Sequence, residues 1–88
     1  MTSRATQEFW TNLRALPRPV QRLALKNYRL WRANPRHPGL HFKKVGPLVW
    51  SARVGREYRA VAAPVPGGYV WFWIGPHDAY EKLIAGMA

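Results

Sequence analysis

The hydrophobic pattern of this chain changes its period once, at the segment His37-Pro38-Gly39. Before this segment, apolar residues recur three and four positions apart, which is typical of amphipathic helices. After it, apolar and polar residues alternate, which is typical of strands that bury one face. A helical part followed by a strand part predicts an α+β fold in which helices cover one face of a sheet.

Two helices are predicted before the change of period. The first covers residues 6–16 and ends at Pro17 and Pro19, because the residue before a proline avoids the helical region. The second runs from Pro19 to about residue 33. The short connection between them predicts an antiparallel helical hairpin. The helical pattern begins almost at the N-terminus, so no strand is expected before it.

Four segments after the change of period alternate like strands, and short turns with glycine or proline separate them. Turns of this length join antiparallel neighbours, so we expect a twisted antiparallel sheet of three to four strands packed on the helical hairpin. A short C-terminal helix follows from His77, where Asp78 and Glu81 have the spacing of a capping box. The strands are predicted at Leu40–Val45, Leu48–Val54, Tyr58–Val65 and Tyr69–Ile74.

The second and third predicted strands form a hairpin whose register can be derived. A three-residue loop at Gly55–Glu57 pairs Arg53 with Arg59 and keeps the apolar residues of both strands on one face. A two-residue turn would instead pair Ala52 with Arg59 and mix the two faces. Because like charges directly opposite one another destabilise a sheet, an anion is expected between the arginines. Two solvated arginines on an edge strand are the alternative.

The charge of the chain limits its partners. It carries 14 Lys and Arg against 4 Asp and Glu, a formal net charge of +10. A surplus of this size speeds association with polyanions, so nucleic acid, an anionic membrane and an acidic protein are the candidate partners. The 88 residues suffice for one domain, over residues 1–88.

Several classes of protein are disfavoured by what the sequence lacks. It has no signal-peptide core and no apolar run near the ~18 residues of a membrane span, so a soluble, cytoplasmic protein with no membrane partner is expected. It contains no cysteine, which excludes disulfides and thiolate chemistry. His37 and His41 are four apart, but the prolines and glycine around them rule out a helical metal site. Neither a metal nor another cofactor is expected.

Two segments resemble a known family. Residues 49–61 (VWSARVGREYRAV), preceded by Phe42-Lys43-Lys44, resemble the central hairpin of RelE/ParE-superfamily toxins, particularly the YoeB-like branch. Residues 73–80 (WIGPHDAY) resemble their C-terminal strand and the site residues after it. The helical hairpin also fits, so the resemblance spans nearly the whole chain. The N-terminal strand of that family has no counterpart among the predicted elements.

The resemblance implies the toxin half of a bacterial toxin–antitoxin pair, with a cognate antitoxin as partner. RelE-like members cut mRNA in the ribosomal A site without a metal, whereas ParE-like members poison DNA gyrase. The first activity is expected here; a ParE-like gyrase poison and a non-catalytic RNA- or ribosome-binding module are the alternatives. The resemblance implies Arg53, Arg59, His77 and Tyr80 as catalytic residues, with Lys43, Lys44 and Arg56 in contact with RNA.

The residue types suit metal-free RNA cleavage, in which a 2′-hydroxyl attacks the adjacent phosphate. The planar fork of arginine matches phosphate oxygens, and histidine transfers protons near neutral pH. A tyrosine can stack on a base or donate through its hydroxyl. The alternative is that His77 only flanks a helix start and Tyr80 packs from its first turn.

Two further surfaces have open interpretations. Trp71 and Trp73 are expected to share one strand face and to pack against the helical hairpin, with base stacking as the alternative. Cations at helical spacing along the second helix form either a contact with ribosomal RNA or a solvated face. These cations are Arg18, Arg22, Lys26 and Arg29, followed by Arg32.

Overall fold

The structure, a computed structural model, describes residues 1–87, which form three α-helices, a five-stranded sheet and one 3-10 turn. The α+β class, the order of two helices followed by strands, and the C-terminal helix are confirmed. The elements are β1 Thr2–Ala5, α1 Gln7–Arg14, α2 Arg18–Ala33, the 3-10 turn Pro38–Leu40, β2 Lys43–Gly46, β3 Val49–Val54, β4 Tyr58–Val65, β5 Gly68–Pro76 and α3 His77–Met87.

The sheet differs from the predicted one in its first strand. Its order is β1-β5-β4-β3-β2, and β1 runs parallel to β5, so the sheet is mixed and has five strands instead of three to four. The expectation that no strand precedes the helices is therefore wrong. Strand β1 has four residues of which only Ala5 is apolar, too few to show a period. Strand β1 is held in the sheet by pairing with the edge of β5. Gly68 is needed at this edge because a Cβ there would lie 1.9 Å from the Thr2 carbonyl oxygen.

The two N-terminal helices begin and end at local signals. Thr6 caps α1, since its Oγ1 accepts a hydrogen bond of 3.2 Å from the Phe9 N–H. Helix α2 begins after Pro17, and Pro19 occupies its first turn, where a missing N–H costs nothing. Between them, the side chain of Gln21 donates to the Leu16 carbonyl at 2.8 Å. The connection between the helices is therefore tied back to α2.

The main core lies between these helices and the sheet. Trp31 is 1% exposed, and its ring meets Trp71 edge to face at 5.1 Å and Phe42 at 5.6 Å. A smaller core lies on the other sheet face, where α3 packs on residues such as Val61 and Trp73. The buried residues of the main core are Leu13, Ala24, Trp31, Leu40, Ala52, Val54, Ala60, Ala62, Trp71 and Ile74.

A bulge in β5 separates the two strand tryptophans. Val61 pairs with Trp73 and Ala62 pairs with Trp71, so Phe72 is an extra residue in β5. The extra residue breaks the period of two: Trp71 joins the helix-side core, whereas Trp73 packs in the smaller core. The expectation that both tryptophans share one face is therefore wrong, and packing against the helical hairpin holds for Trp71 only.

Candidate active site

The arginine pair lies where the hairpin register was expected to place it. Val54 pairs with Tyr58 and Arg53 with Arg59, which confirms the three-residue loop Gly55–Glu57. Gly55 has a φ of +66°, in the left-handed region that favours glycine. Because side chains alternate along a strand, both arginines share the sheet face of Ser51, the face that α3 partly covers. The two arginines thus lie on the same face of the sheet and both line the cleft described below.

The carbonyl groups of the hairpin loop hold Arg59. Its Nη1 donates to the carbonyl oxygens of Tyr58 at 2.8 Å, Arg56 at 3.2 Å and Gly55 at 3.5 Å. These dipoles offset part of the repulsion from Arg53 and fix the guanidinium before any ligand arrives. An orientation fixed in advance lowers the entropy cost of binding a phosphate.

Arg53 has a donor without an acceptor. Its Nε is buried and forms no hydrogen bond within residues 1–87. Leaving a buried charged donor unpaired costs at least about 1–3 kcal/mol, so an anion reaching this atom would relieve that cost. The backbone of Arg53 is held from the other side, because the Asn27 side chain donates to its carbonyl oxygen at 3.2 Å.

His77 begins α3 at the hairpin loop. Its backbone N–H donates to the Glu57 carbonyl at 2.7 Å, and its Nε2 lies 3.2 Å from Glu81 Oε1 one turn later. The helix starts at His77, so Asp78 lies inside the first turn and is not the N-cap of a capping box. The carboxylate of Glu81 contacts the imidazole instead. Once the helix is assigned, the i,i+4 spacing of His77 and Glu81 predicts this contact.

Tyr80 is buried, and its hydroxyl has a partner inside the protein. The hydroxyl donates to Ser51 Oγ at 3.1 Å, and Ser51 is 3% exposed. This bond ties α3 to β3 beneath the arginine pair, with the His77 ring 5.9 Å from the Tyr80 ring. The arrangement agrees with Tyr80 packing from the first turn of the helix. The sequence reasoning did not identify Ser51, whose partner lies 29 residues away.

One cleft of about 410 Å³ collects most of the expected site residues. That volume is in the range of small-ligand sites, about 300–1,000 Å³. Lys43 and Lys44 of β2 border it, and both are exposed. Arg56 is exposed in the loop and is not among the lining residues. The lining is His41, Lys43, Lys44, Val45, Ser51, Arg53, Arg59, His77, Tyr80, Glu81 and Ile84.

His41 is a cleft residue that the sequence reasoning did not assign to the site. It has a φ of +46°, and within residues 1–87 no other non-glycine residue has a positive φ. This conformation costs roughly 1 kcal/mol for an L-residue. The neighbours maintain it, because Leu40 is 1% exposed and Phe42 packs against Trp31 and Trp50. No sequence pattern predicts such a conformation for a histidine.

The cations of α2 lie on the other side of the sheet from the cleft. Helix α2 packs its apolar side into the main core, and its basic side chains are exposed. The only ion pair found in the described part of the chain joins His77 and Glu81, so no carboxylate neutralises a Lys or Arg side chain there. The exposed cations of α2 are Arg18, Arg22, Lys26, Arg29 and Arg32.

A second concave surface lies between α1, α2 and the sheet. It encloses about 180 Å³, and the exposed side chains Trp10, Leu25 and Tyr28 stand among its lining residues. The indole nitrogens of Trp31 and Trp71, two other lining residues, are buried and have no acceptor within residues 1–87. This groove is apolar, unlike the cleft on the opposite face.

Tyr28 at this groove has a pKa below its ordinary value. Burial acts to raise the pKa of Tyr28, but its hydrogen bonds with Ser3 and Arg32 and the charge of Arg32 together outweigh that effect. The hydroxyl donates to Ser3 Oγ at 3.1 Å and accepts from Arg32 Nη1 at 3.2 Å. The bond to Ser3 attaches α2 to β1.

Comparisons with known proteins show the fold. No family model matches the sequence, and no curated protein matches it. The RelB–RelE antitoxin–toxin complex from Methanococcus jannaschii has a TM-score of 0.68 at 16% identity, over 91% of this chain and 96% of that chain. The YoeB/ParE toxin from Agrobacterium tumefaciens has a TM-score of 0.68 at 15% identity, over 88% and 99%. The isolated E. coli RelE toxin has a TM-score of 0.62 at 13% identity, over 98% and 97%.

These similarities show that the chain has the fold of RelE and YoeB/ParE toxins. Among residues 1–87, no helix is long and apolar enough to cross a membrane. The same residues contain no group of three or more His, Asp or Glu side chains placed to hold a metal ion.

Proposed function

We propose that this protein is the toxin of a toxin–antitoxin pair of the RelE/ParE superfamily. We further propose that it acts in the cytoplasm as a metal-independent, ribosome-dependent mRNA endoribonuclease that inhibits translation. One observation carries the proposal: a basic cleft brings the opposed pair Arg53 and Arg59 together with His77. Such a set can bind a phosphate and move a proton at the same place.

The cleavage reaction requires stabilisation of charge at phosphorus and two proton transfers. The 2′-oxygen of one nucleotide forms a bond to its own phosphorus, the bond to the 5′-oxygen breaks, and one proton leaves the first oxygen while another reaches the second. The arginines stabilise the charged phosphorane, and a donor placed for developing charge is worth about 3 kcal/mol. His77 transfers a proton, which contributes on the order of a hundred- to ten-thousandfold. Lys43 and Lys44 hold the RNA backbone along the edge of the cleft.

The position of the α2 cations supports a ribosomal substrate. The cleft and the exposed side of α2 lie on opposite sides of the sheet, and in the described residues no carboxylate forms an ion pair with a Lys or Arg side chain of either surface. A protein that binds mRNA on one side and ribosomal RNA on the other needs two such surfaces. The proposed contacts with ribosomal RNA are Arg18, Arg22, Lys26 and Arg29.

A cognate antitoxin is the proposed protein partner. Two of the solved structures with this fold are complexes of RelE with RelB. An antitoxin segment with carboxylates would meet Arg53 and Arg59, and its apolar side chains would fill the groove beside Trp10, Leu25 and Tyr28. Exposed apolar clusters of this kind mark protein-interaction sites.

A non-catalytic RNA-binding module is the second candidate, and one observation favours it. The Tyr80 hydroxyl is already bonded to Ser51, so it is not free to donate to a leaving group. This candidate retains the phosphate contacts of the arginines and omits proton transfer by His77.

Cleavage in a purified translating extract separates the candidates. The wild-type protein should cut mRNA that occupies ribosomes and leave free mRNA intact, whereas Arg59→Ala should be folded by circular dichroism and inactive. A supercoiling assay with purified DNA gyrase should show no inhibition. Intact mRNA together with inhibited supercoiling would favour the gyrase poison; intact mRNA with ribosome binding would favour the RNA-binding module.

A further inference from the structure

His41 occupies the cleft in a conformation that the surrounding fold imposes. It lines the same cleft as His77, and its backbone is in the left-handed region. The backbone N–H donates to the Pro38 carbonyl at 3.3 Å, and the residues on both sides are packed in the core. Strained backbone that its neighbours enforce is often found at functional sites. Because of this conformation, the backbone at His41 departs from the extended path of a strand between Leu40 and Phe42.

RNA cleavage needs two proton transfers, and the residues described so far supply a side chain for only one of them. His77 can perform the first. The Tyr80 hydroxyl donates to Ser51 and is buried, so it is poorly placed for the second. The lysines and arginines that line the cleft are already assigned to phosphate and RNA contacts. Histidine is the residue type suited to transferring protons near neutral pH, and His41 is the second histidine that lines the cleft.

The contact between His77 and Glu81 suggests how the two histidines divide the work. Nε2 of His77 lies 3.2 Å from Glu81 Oε1, and because a carboxylate only accepts hydrogen bonds, this contact favours the neutral tautomer with its proton on Nε2. Its Nδ1 then holds a free lone pair, and the carboxylate stabilises the imidazolium formed when that lone pair takes a proton. This arrangement suits the base that deprotonates the 2′-hydroxyl.

We propose that His41 is a second catalytic residue, the general acid that protonates the 5′-oxygen as the phosphorus–oxygen bond breaks. This inference rests on the proposed endoribonuclease function. The protons balance: His77 takes one from the 2′-hydroxyl, and protonated His41 gives one to the leaving oxygen. The two histidines exchange their protonation states through solvent before the next turnover.

A matched control is available four residues away. His37 caps the 3-10 turn, since its Nδ1 accepts from the Gly39 N–H at 3.1 Å, and it is not among the residues lining the cleft. Single-turnover cleavage of mRNA on ribosomes should fall by about tenfold or more for His41→Gln. For His37→Gln it should stay within about twofold of wild type, because no proton transfer is lost.

A substrate with a better leaving group tests the role itself. Replacing the 5′-oxygen at the cleavage site by sulfur removes the need for a general acid, because a thiolate leaves without protonation. With this RNA the defect of His41→Gln should shrink to about threefold or less, whereas His77→Gln should remain about tenfold or more slower than wild type. Equal defects of His41→Gln on the two substrates would overturn the general-acid role.

A glycine variant separates catalysis from folding. His41→Gly relieves the left-handed strain, so its thermal unfolding midpoint should equal or exceed that of wild type, while cleavage falls as for His41→Gln. Full activity of His41→Gly or His41→Gln would overturn the inference. If the wild-type protein cuts no RNA at all, the proposed function itself fails. Wild-type cleavage with no difference between the His41 and His37 variants would contradict only the role of His41.

Discussion

The two faces of the sheet differ in what covers them. On one face, α1 and α2 bury a continuous aromatic core around Trp31, which is 1% exposed. On the other face, the buried cluster consists of Val49, Val61 and Tyr80, and α3 leaves the arginine pair open to the cleft. The first face holds most of the buried apolar residues, and the second presents charge that apolar packing does not stabilise. The residues that stabilise the fold and the residues of the proposed reaction therefore lie on opposite faces of the sheet.

The largest expected effect is on the helix face. Trp31→Ala should lower the free energy of unfolding by about 3–5 kcal/mol, because it leaves a cavity where four aromatic rings meet. Urea unfolding followed by circular dichroism measures it. Trp10, which is 40% exposed, is the control, and Trp10→Ala should cost less than about 1 kcal/mol. Similar losses for the two variants would contradict the assignment of the core.

The bond between Tyr80 and Ser51 joins the sheet to α3, and its loss should have an intermediate effect. Tyr80→Phe and Ser51→Ala each remove one partner, and each should cost about 1 kcal/mol of stability. The double variant should lose less than the sum, because both changes break the same bond. Cleavage should fall to a similar extent in both single variants. A much larger activity loss for Tyr80→Phe would show that Tyr80 acts on the substrate, as the family resemblance implies.

The elements that sequence reasoning recovered are those with a local signal. The β3–β4 register followed from polarity, since only one alignment keeps Arg53 and Arg59 together. Strand β1 was missed because its four residues contain no period and its partner β5 lies more than sixty residues along the chain. The Phe72 bulge was missed because an alternating segment does not show where an extra residue is inserted.

The site was recovered to a similar degree. Arg53, Arg59, His77, Tyr80, Lys43 and Lys44 border one cleft, as the family resemblance had suggested. Their catalytic and RNA-binding roles are predictions. Ser51 and His41 were not assigned to the site, because a contact across the sheet and a left-handed histidine depend on tertiary packing. Glu81 was assigned to helix capping, whereas its carboxylate lies beside His77.

The smallest expected effect concerns the cations of α2. Binding to ribosomes should weaken with salt, and each phosphate contact contributes about 0.7–0.9 to the slope of log affinity against log salt. If the α2 side contacts RNA, the double variant Arg22→Glu and Lys26→Glu should reduce that slope by the contribution of one to two phosphate contacts. Arg36→Glu, an exposed position after the helix, serves as the comparison. A slope equal to that of wild type would mean that the α2 cations are solvated.

The most direct test of the central claim is single-turnover cleavage of ribosome-bound mRNA by His77→Gln, with ribosome binding measured in parallel. The account predicts at least about tenfold slower cleavage with unchanged binding, because the substitution removes proton transfer and leaves the arginine pair and the α2 cations in place. Cleavage at the wild-type rate would contradict the account, since the open face of the sheet would then bind RNA without His77 taking part in the reaction.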